Sequence, residues 1–154
     1  MSRSNRNLLA FAFASALTIA SIIFSAVSYA AEHTIEMRNK DDQGQTMTFQ
    51  PSFLKVAVGD TVKFVPTDKN HNAESVRDVW VEGAAPIKGA LSAVVEFKAE
   101  KEGVYVFKCL PHFAMGMIAV VQVGKPENLD KVKAFVPPGV AKGRLAKILE
   151  GVTP

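Results

Sequence analysis

Seven short runs of strand-forming residues, each closed by turn residues, constrain this 154-residue chain more than any other feature. His33–Arg38 alternates Ile35 and Met37 against Glu36. Thr46–Phe49, Phe53–Val58 and Thr61–Val65 follow, broken by Gln50-Pro51 and Gly59-Asp60. Ala93–Lys98 alternates Val95 and Phe97 against Glu96 and Lys98, and Gly103–Lys108 and Met117–Val123 complete the set. Val, Phe and Thr suit a pleated, half-buried surface. Seven such runs in roughly 95 residues predict an all-β sandwich or barrel. The irregular stretch from Asn72 to Leu91 reads as a long crossover with room for a helical turn.

The period then changes. Leu129, Val132 and Phe135 recur every three residues, and Pro137-Pro138-Gly139 interrupts them. Leu145, Ile148 and Leu149 share one helical face, with Lys142, Arg144 and Lys147 available for the other. Two short helices are therefore expected to pack on the sandwich. Residues 126–154 form an extension of the domain that spans 31–125.

The first thirty residues read as a signal peptide. Arg3 and Arg6 precede an apolar run from Leu8 to about Val27, and Ser28-Tyr29-Ala30 offers a small-x-small exit. Cleavage after Ala30 fits better than after Ala31, which would place bulky Tyr29 at the upstream recognition position. The competing reading is an uncleaved anchor, since roughly 20 apolar residues span a bilayer. The leader implies export, and in a bacterial cell a periplasmic location, with no membrane attachment after cleavage.

Charge excludes a further class. The chain has 18 Lys+Arg against 15 Asp+Glu. Loss of Arg3 and Arg6 with the leader leaves 16 against 15, a net charge of +1. A nucleic-acid-binding surface needs far more positive charge. The single Cys excludes an internal disulfide, a CxxC redox pair, an all-cysteine zinc site and a Cys-ligated iron–sulfur cluster.

Chemistry concentrates in Cys109-Leu110-Pro111-His112-Phe113-Ala114-Met115-Gly116-Met117. A thiol, an imidazole and two thioethers lie between two strong strands. The spacing Cys-x2-His-x4-Met lets Cys109 end one strand, His112 turn back in the loop and Met117 begin the next. Pro111 stiffens the turn, and Gly116 permits a backbone conformation that other residues resist. A buried apolar cysteine is the bland alternative. His71, in Asp68-Lys69-Asn70-His71-Asn72, supplies a second imidazole, whereas His33 reads as an ordinary strand residue. His71, Cys109 and His112 give an N2S set with Met117 as a weak axial contact, the pattern of a blue-copper electron-transfer centre. Zinc also accepts His and Cys, but no acid lies inside the loop for zinc-assisted hydrolysis.

The chain resembles the type I copper proteins of the cupredoxin superfamily, and within them the pseudoazurins. Plastocyanins and amicyanins share the loop from Cys through His to Met. Pro66-Thr67-Asp68-Lys69-Asn70-His71-Asn72, Gly103-Val104-Tyr105, Cys109-x-Pro111-His112, Met115-Gly116-Met117 and the two-helix extension carry the likeness. The resemblance implies a cupredoxin-like Greek-key β-sandwich and one copper ion held by His71, Cys109, His112 and Met117. It implies that Met115 is a surface residue near the site. It also implies that Asn72 steadies the Cys loop and that Met47 packs against the His112 ring. Two departures stand out: Asn70 where pseudoazurins often have Gly, and Leu110 where Thr is common.

The function implied is that of a monomeric electron carrier without turnover of its own. The electron is expected to pass through His112, with Pro111, Ala114 and Met115 around its edge. Lys69, Lys88 and Lys108 form a basic rim by the same resemblance. Partners would then be proteins with acidic docking surfaces, such as the nitrite reductase of denitrification. A copper-delivery protein and a small zinc hydrolase are the alternatives.

Overall fold

A computed structural model describes residues 30–154. The signal peptide expected over 1–30 lies outside the described residues, save for Ala30 at its end. Eight strands are present: β1 (Glu32–Lys40), β2 (Thr46–Gln50), β3 (Phe53–Val56), β4 (Thr61–Pro66), β5 (Glu74–Ser75), β6 (Val95–Lys98), β7 (Gly103–Lys108) and β8 (Ile118–Val123). Two helices follow, α1 (Leu129–Ala134) and α2 (Ala141–Leu149). Among the described residues no helix is long and apolar enough to cross a membrane.

The strands form two four-stranded sheets, ordered β2-β1-β4-β6 and β3-β8-β7-β5. β1 runs parallel to β4 and β3 parallel to β8; the remaining neighbours are antiparallel. All seven strands expected from the sequence are present. β5 is additional. It lies in the crossover, where only two residues pair with β7, and a 3₁₀ turn at Arg77–Val79 follows it.

Alternation along β7 explains how the layers assemble. Tyr105 and Phe107 turn into the core between the sheets, beside Phe64, Trp80 and Phe97. Val104 and Val106 turn the other way, towards Val120, Val132 of α1 and Leu145 of α2. One sheet is thus covered on both faces, and its strands read as near-continuous apolar runs. Gln122 is the one polar residue within β8, and it is fully buried. Its Nε2 donates to the carbonyls of Gly124 and Thr153, and its Oε1 accepts the Thr153 N–H. Those bonds satisfy the amide and fasten the tail to the sheet.

The inter-sheet core is strongly aromatic. Phe64 and Phe107 have ring centroids 4.6 Å apart, and Trp80 stands edge-on to Phe107 at 5.2 Å. Cys109 and Met117 belong to the same buried cluster. The chemically distinctive loop therefore grows out of the aromatic inter-sheet core.

Candidate metal centre

Cys109 follows β7 directly and Met117 immediately precedes β8, so the loop between them inherits the register of an antiparallel pair. The Cys109 N–H donates to the Met117 carbonyl at 3.1 Å, which closes the loop at its base. Successive turns fill the interior: His112 N–H donates to Cys109 O, Met115 N–H to His112 O, and Gly116 N–H to Phe113 O. Met117 N–H returns to His112 O at 3.2 Å. Gly116 has φ +101°, a conformation that a side chain resists.

His71 approaches from the segment after β4. Asn70 has φ +68°, which accounts for its standing where pseudoazurins often carry Gly, since Asn tolerates the left-handed region better than most residues. The backbone here is fixed by two bonds to one residue: Asn70 N–H donates to Ser92 Oγ, and Ser92 N–H to His71 O, both at 2.8 Å. His71 itself is fully buried.

The two segments bring three donor atoms together. His71 Nδ1 lies 3.1 Å from His112 Nδ1, and Cys109 Sγ lies 3.8 Å from the first and 3.4 Å from the second. These are the three side chains among the described residues that cluster as ligands for a metal ion. A point equidistant from them lies about 2 Å from each, the ordinary distance from nitrogen or sulfur to a first-row divalent ion. Met117, also fully buried, is tied by backbone bonds to Cys109 and His112, the two loop members of this triangle.

The hydrogen bond on the far side of His71 orients its ring towards that point. His71 Nε2 donates to Asn39 Oδ1 at 3.0 Å, so the neutral ring directs a lone pair from Nδ1 into the triangle. Burial, and then the neighbouring His112, hold His71 below the usual imidazole range, with Asp68 opposing them. Burial pushes the Cys109 thiol up, against the N–H groups of Asn72 and His112. The His71 Nδ1 and the Cys109 sulfur converge on one point beside His112 Nδ1. A cation satisfies both and favours the thiolate. The donor set fits copper: two imidazoles, a thiolate and a thioether.

The other residues singled out in the sequence fall around this triangle at different depths. Asn72 is buried; its Oδ1 accepts the Leu110 N–H at 2.8 Å, and its Nδ2 donates to Glu74 Oε1 and Gly89 O. Met47 packs against the cluster that contains Cys109 and Met117. Pro111, Ala114 and Met115 are exposed, His112 partly so, and Leu110 is also exposed at 54%. Lys69 and Lys88 are exposed, while Lys108 is half-buried with Nζ 5.4 Å from the centroid of the Phe113 ring. Lys88 and Lys108 are both backbone neighbours of Glu74 in the sheet, so a carboxylate lies between them in register.

The copper binding proteins of the plastocyanin/azurin family match residues 35–124 of the chain. A pseudoazurin of Paracoccus pantotrophus is 39% identical over 131 residues, covering 84% of this chain and 90% of the relative. The crystal structure of native pseudoazurin from Hyphomicrobium denitrificans is 63% identical, with a TM-score of 0.79 over 80% of this chain and 99% of that one. The chain belongs to the pseudoazurins. A pseudoazurin structure from Methylobacterium extorquens AM1 has a TM-score of 0.75 at 36% identity, covering 79% of this chain and 99% of that one. Pseudoazurins are blue copper electron carriers that serve redox partner proteins, and they turn over no substrate of their own. Their cofactor is copper.

Two residues in this pseudoazurin were not singled out in the sequence. Asn39, at the end of β1, sets the tautomer of His71. Arg144, assigned by helical period to the polar face of α2, is instead partly buried against backbone carbonyls. Neither has a local sequence signature, because each acts on a segment distant along the chain.

Proposed function

We propose that His71, Cys109, His112 and Met117 hold one copper ion, and that the chain carries single electrons in the periplasm to the nitrite reductase of denitrification. The observation that carries the ligand assignment is the donor triangle itself, closed by two separate segments on a packed aromatic core.

Bound copper supplies a one-electron couple between Cu(I) and Cu(II). The protein's part is to hold the donors still. The loop is closed by hydrogen bonds at its base, and His71 is fixed from both sides by Asn39 and Ser92. Donors that keep one arrangement in both oxidation states leave little to rearrange when an electron arrives or leaves, whatever share of that geometry is intrinsic to copper–thiolate bonding. Burial of Cys109, His71 and Met117 keeps water away from the donor atoms. A closed, buried set suits retention of the metal rather than its delivery.

His112 is the route out. Its Nδ1 faces the other donors while the ring remains partly exposed among Pro111, Ala114 and Met115. A small apolar patch supports brief contact, and Lys69, Lys88 and Lys108 steer a partner with an acidic surface. The carrier works as a monomer, released by leader cleavage after Ala30. Stopped-flow mixing of the reduced copper form with copper nitrite reductase tests this reading. A second-order transfer that weakens with salt supports it, and failure to reduce that enzyme overturns the choice of partner.

A further inference from the structure

Among the contacts of the C-terminal extension with the loop of the proposed copper site, one side chain reaches the residue next to Met117. Arg144 sits in the middle of α2, whose Ala141 and Leu145 are buried. Its guanidinium is turned inward onto three backbone carbonyls. Nη1 donates to Met47 O at 2.8 Å and to Gly116 O at 3.0 Å, and Nη2 donates to Thr46 O at 2.9 Å. All three acceptors are neutral peptide groups, and among the described residues no carboxylate forms an ion pair with it.

The three acceptors belong to two segments far apart in the chain. Thr46 and Met47 open β2, where Met47 adopts φ +49°. Gly116 is the last residue before Met117. A Cβ at Gly116 would stand 2.6 to 2.8 Å from the Arg144 side chain, so the absence of one is what lets the guanidinium reach the carbonyl. The residue that precedes this helix holds the loop at a second point, where Val140 N–H donates to Ala114 O at 2.9 Å. The planar fork of an arginine fixes several acceptors in one plane, which a lysine ammonium cannot do.

We propose that Arg144 is a positioning residue for the copper site: it locks the Gly116–Met117 peptide against the start of β2 and so sets where the Met117 thioether stands relative to His71, Cys109 and His112. This rests on the ligand assignment proposed above. The C-terminal extension thereby tunes the electronic properties of the site without supplying a ligand.

The test uses the mature, copper-loaded chain with Arg144→Met, Arg144→Lys and the exposed control Lys142→Met. Visible absorption, electron paramagnetic resonance and reduction potential are recorded alongside thermal unfolding. Arg144→Met is expected to change the ratio of the visible bands and to shift the potential. Arg144→Lys, which keeps one donor, should give a smaller change in the same direction, and Lys142→Met none. A lower unfolding temperature with an unaltered spectrum and potential, in Arg144→Met or in Arg144→Lys if the former fails to fold, overturns the proposal. A wild-type protein without a blue copper spectrum defeats the ligand assignment instead, so the two failures are distinguishable.

Discussion

Asn72 Oδ1 accepts the Leu110 backbone N–H at 2.8 Å, joining the residue after His71 to the residue after Cys109. The bond crosses between the two ligand-bearing segments and fixes their separation. Its other end is anchored as well, because Nδ2 donates to Glu74 and to the Gly89 carbonyl. Asn72→Ala removes all three bonds from a buried position and should cost about 1–3 kcal/mol. Thermal unfolding of the copper form should show a midpoint several degrees lower, and voltammetry a shifted potential, since hydrogen bonds near the ligands tune the metal. An unchanged midpoint and potential would show that the loop holds itself.

Met117→Leu separates the axial contact from the packing role of the same side chain. Leu nearly conserves the volume, so the core should lose less than about 1.5 kcal/mol. The variant should fold and bind one copper per chain, with an altered visible spectrum and potential, because His71, Cys109 and His112 remain. Metal analysis that finds no copper would contradict a weak axial role.

Replacing Lys69, Lys88 and Lys108 together by Ala tests electrostatic steering. Glu74 lies in register between Lys88 and Lys108, so their removal also leaves that carboxylate without a lysine beside it in register. Association with an acidic partner at low salt should slow about tenfold, and the salt dependence should flatten. The potential should stay nearly constant, since none of the three side chains is among the clustered donors. An unchanged association rate at low ionic strength would remove the steering role.

Asp60 governs a pH dependence remote from the metal. Its carboxylate accepts the Ala31 N–H and the Ala57 N–H and pairs with His33 Nε2 at 2.9 Å. The Ala31 N–H first, and the His33 side chain and Ala57 N–H after it, hold the carboxyl below its ordinary range. A lowered folded value means that the contribution is complete above the unfolded value of about 3.9 and is lost as pH falls through the folded one. Asp60→Asn in the copper-free protein should therefore melt below wild type near pH 6, with the gap closing below about pH 4. A gap of equal size at about pH 3 would contradict the assignment.

The sheets are legible in the sequence because β1 and β6 alternate, with Ile35 and Met37 both fully buried, while β7 and β8 are near-continuous apolar runs bounded by turn residues. β5 has two residues, too few to display a period, and exists because Glu74 and Ser75 meet Lys108 and Phe107. The thiol, the imidazole and the thioether lie within nine residues, so the loop was legible as chemistry. His71 is legible as the second imidazole because the other histidine outside the loop, His33, lies in strand β1. Asn39 and Arg144 were hidden for one physical reason: their partners are side chain or backbone groups 32 and 28 to 98 residues away. Helical periodicity separates Arg144 from Leu145, but it says nothing about which carbonyls lie beside that face. His33, read as an ordinary strand residue, pairs with Asp60 in the same manner.

The most direct test is a titration of the purified, leader-free chain with Cu(II), followed in visible light and repeated on His71→Ala and Cys109→Ser. The donor triangle predicts an intense blue band that saturates at one copper per chain, bleaches reversibly on one-electron reduction, disappears in Cys109→Ser and is strongly altered in His71→Ala. A colourless wild-type complex, or an identical band in the His71 variant, would contradict a copper centre built by these side chains.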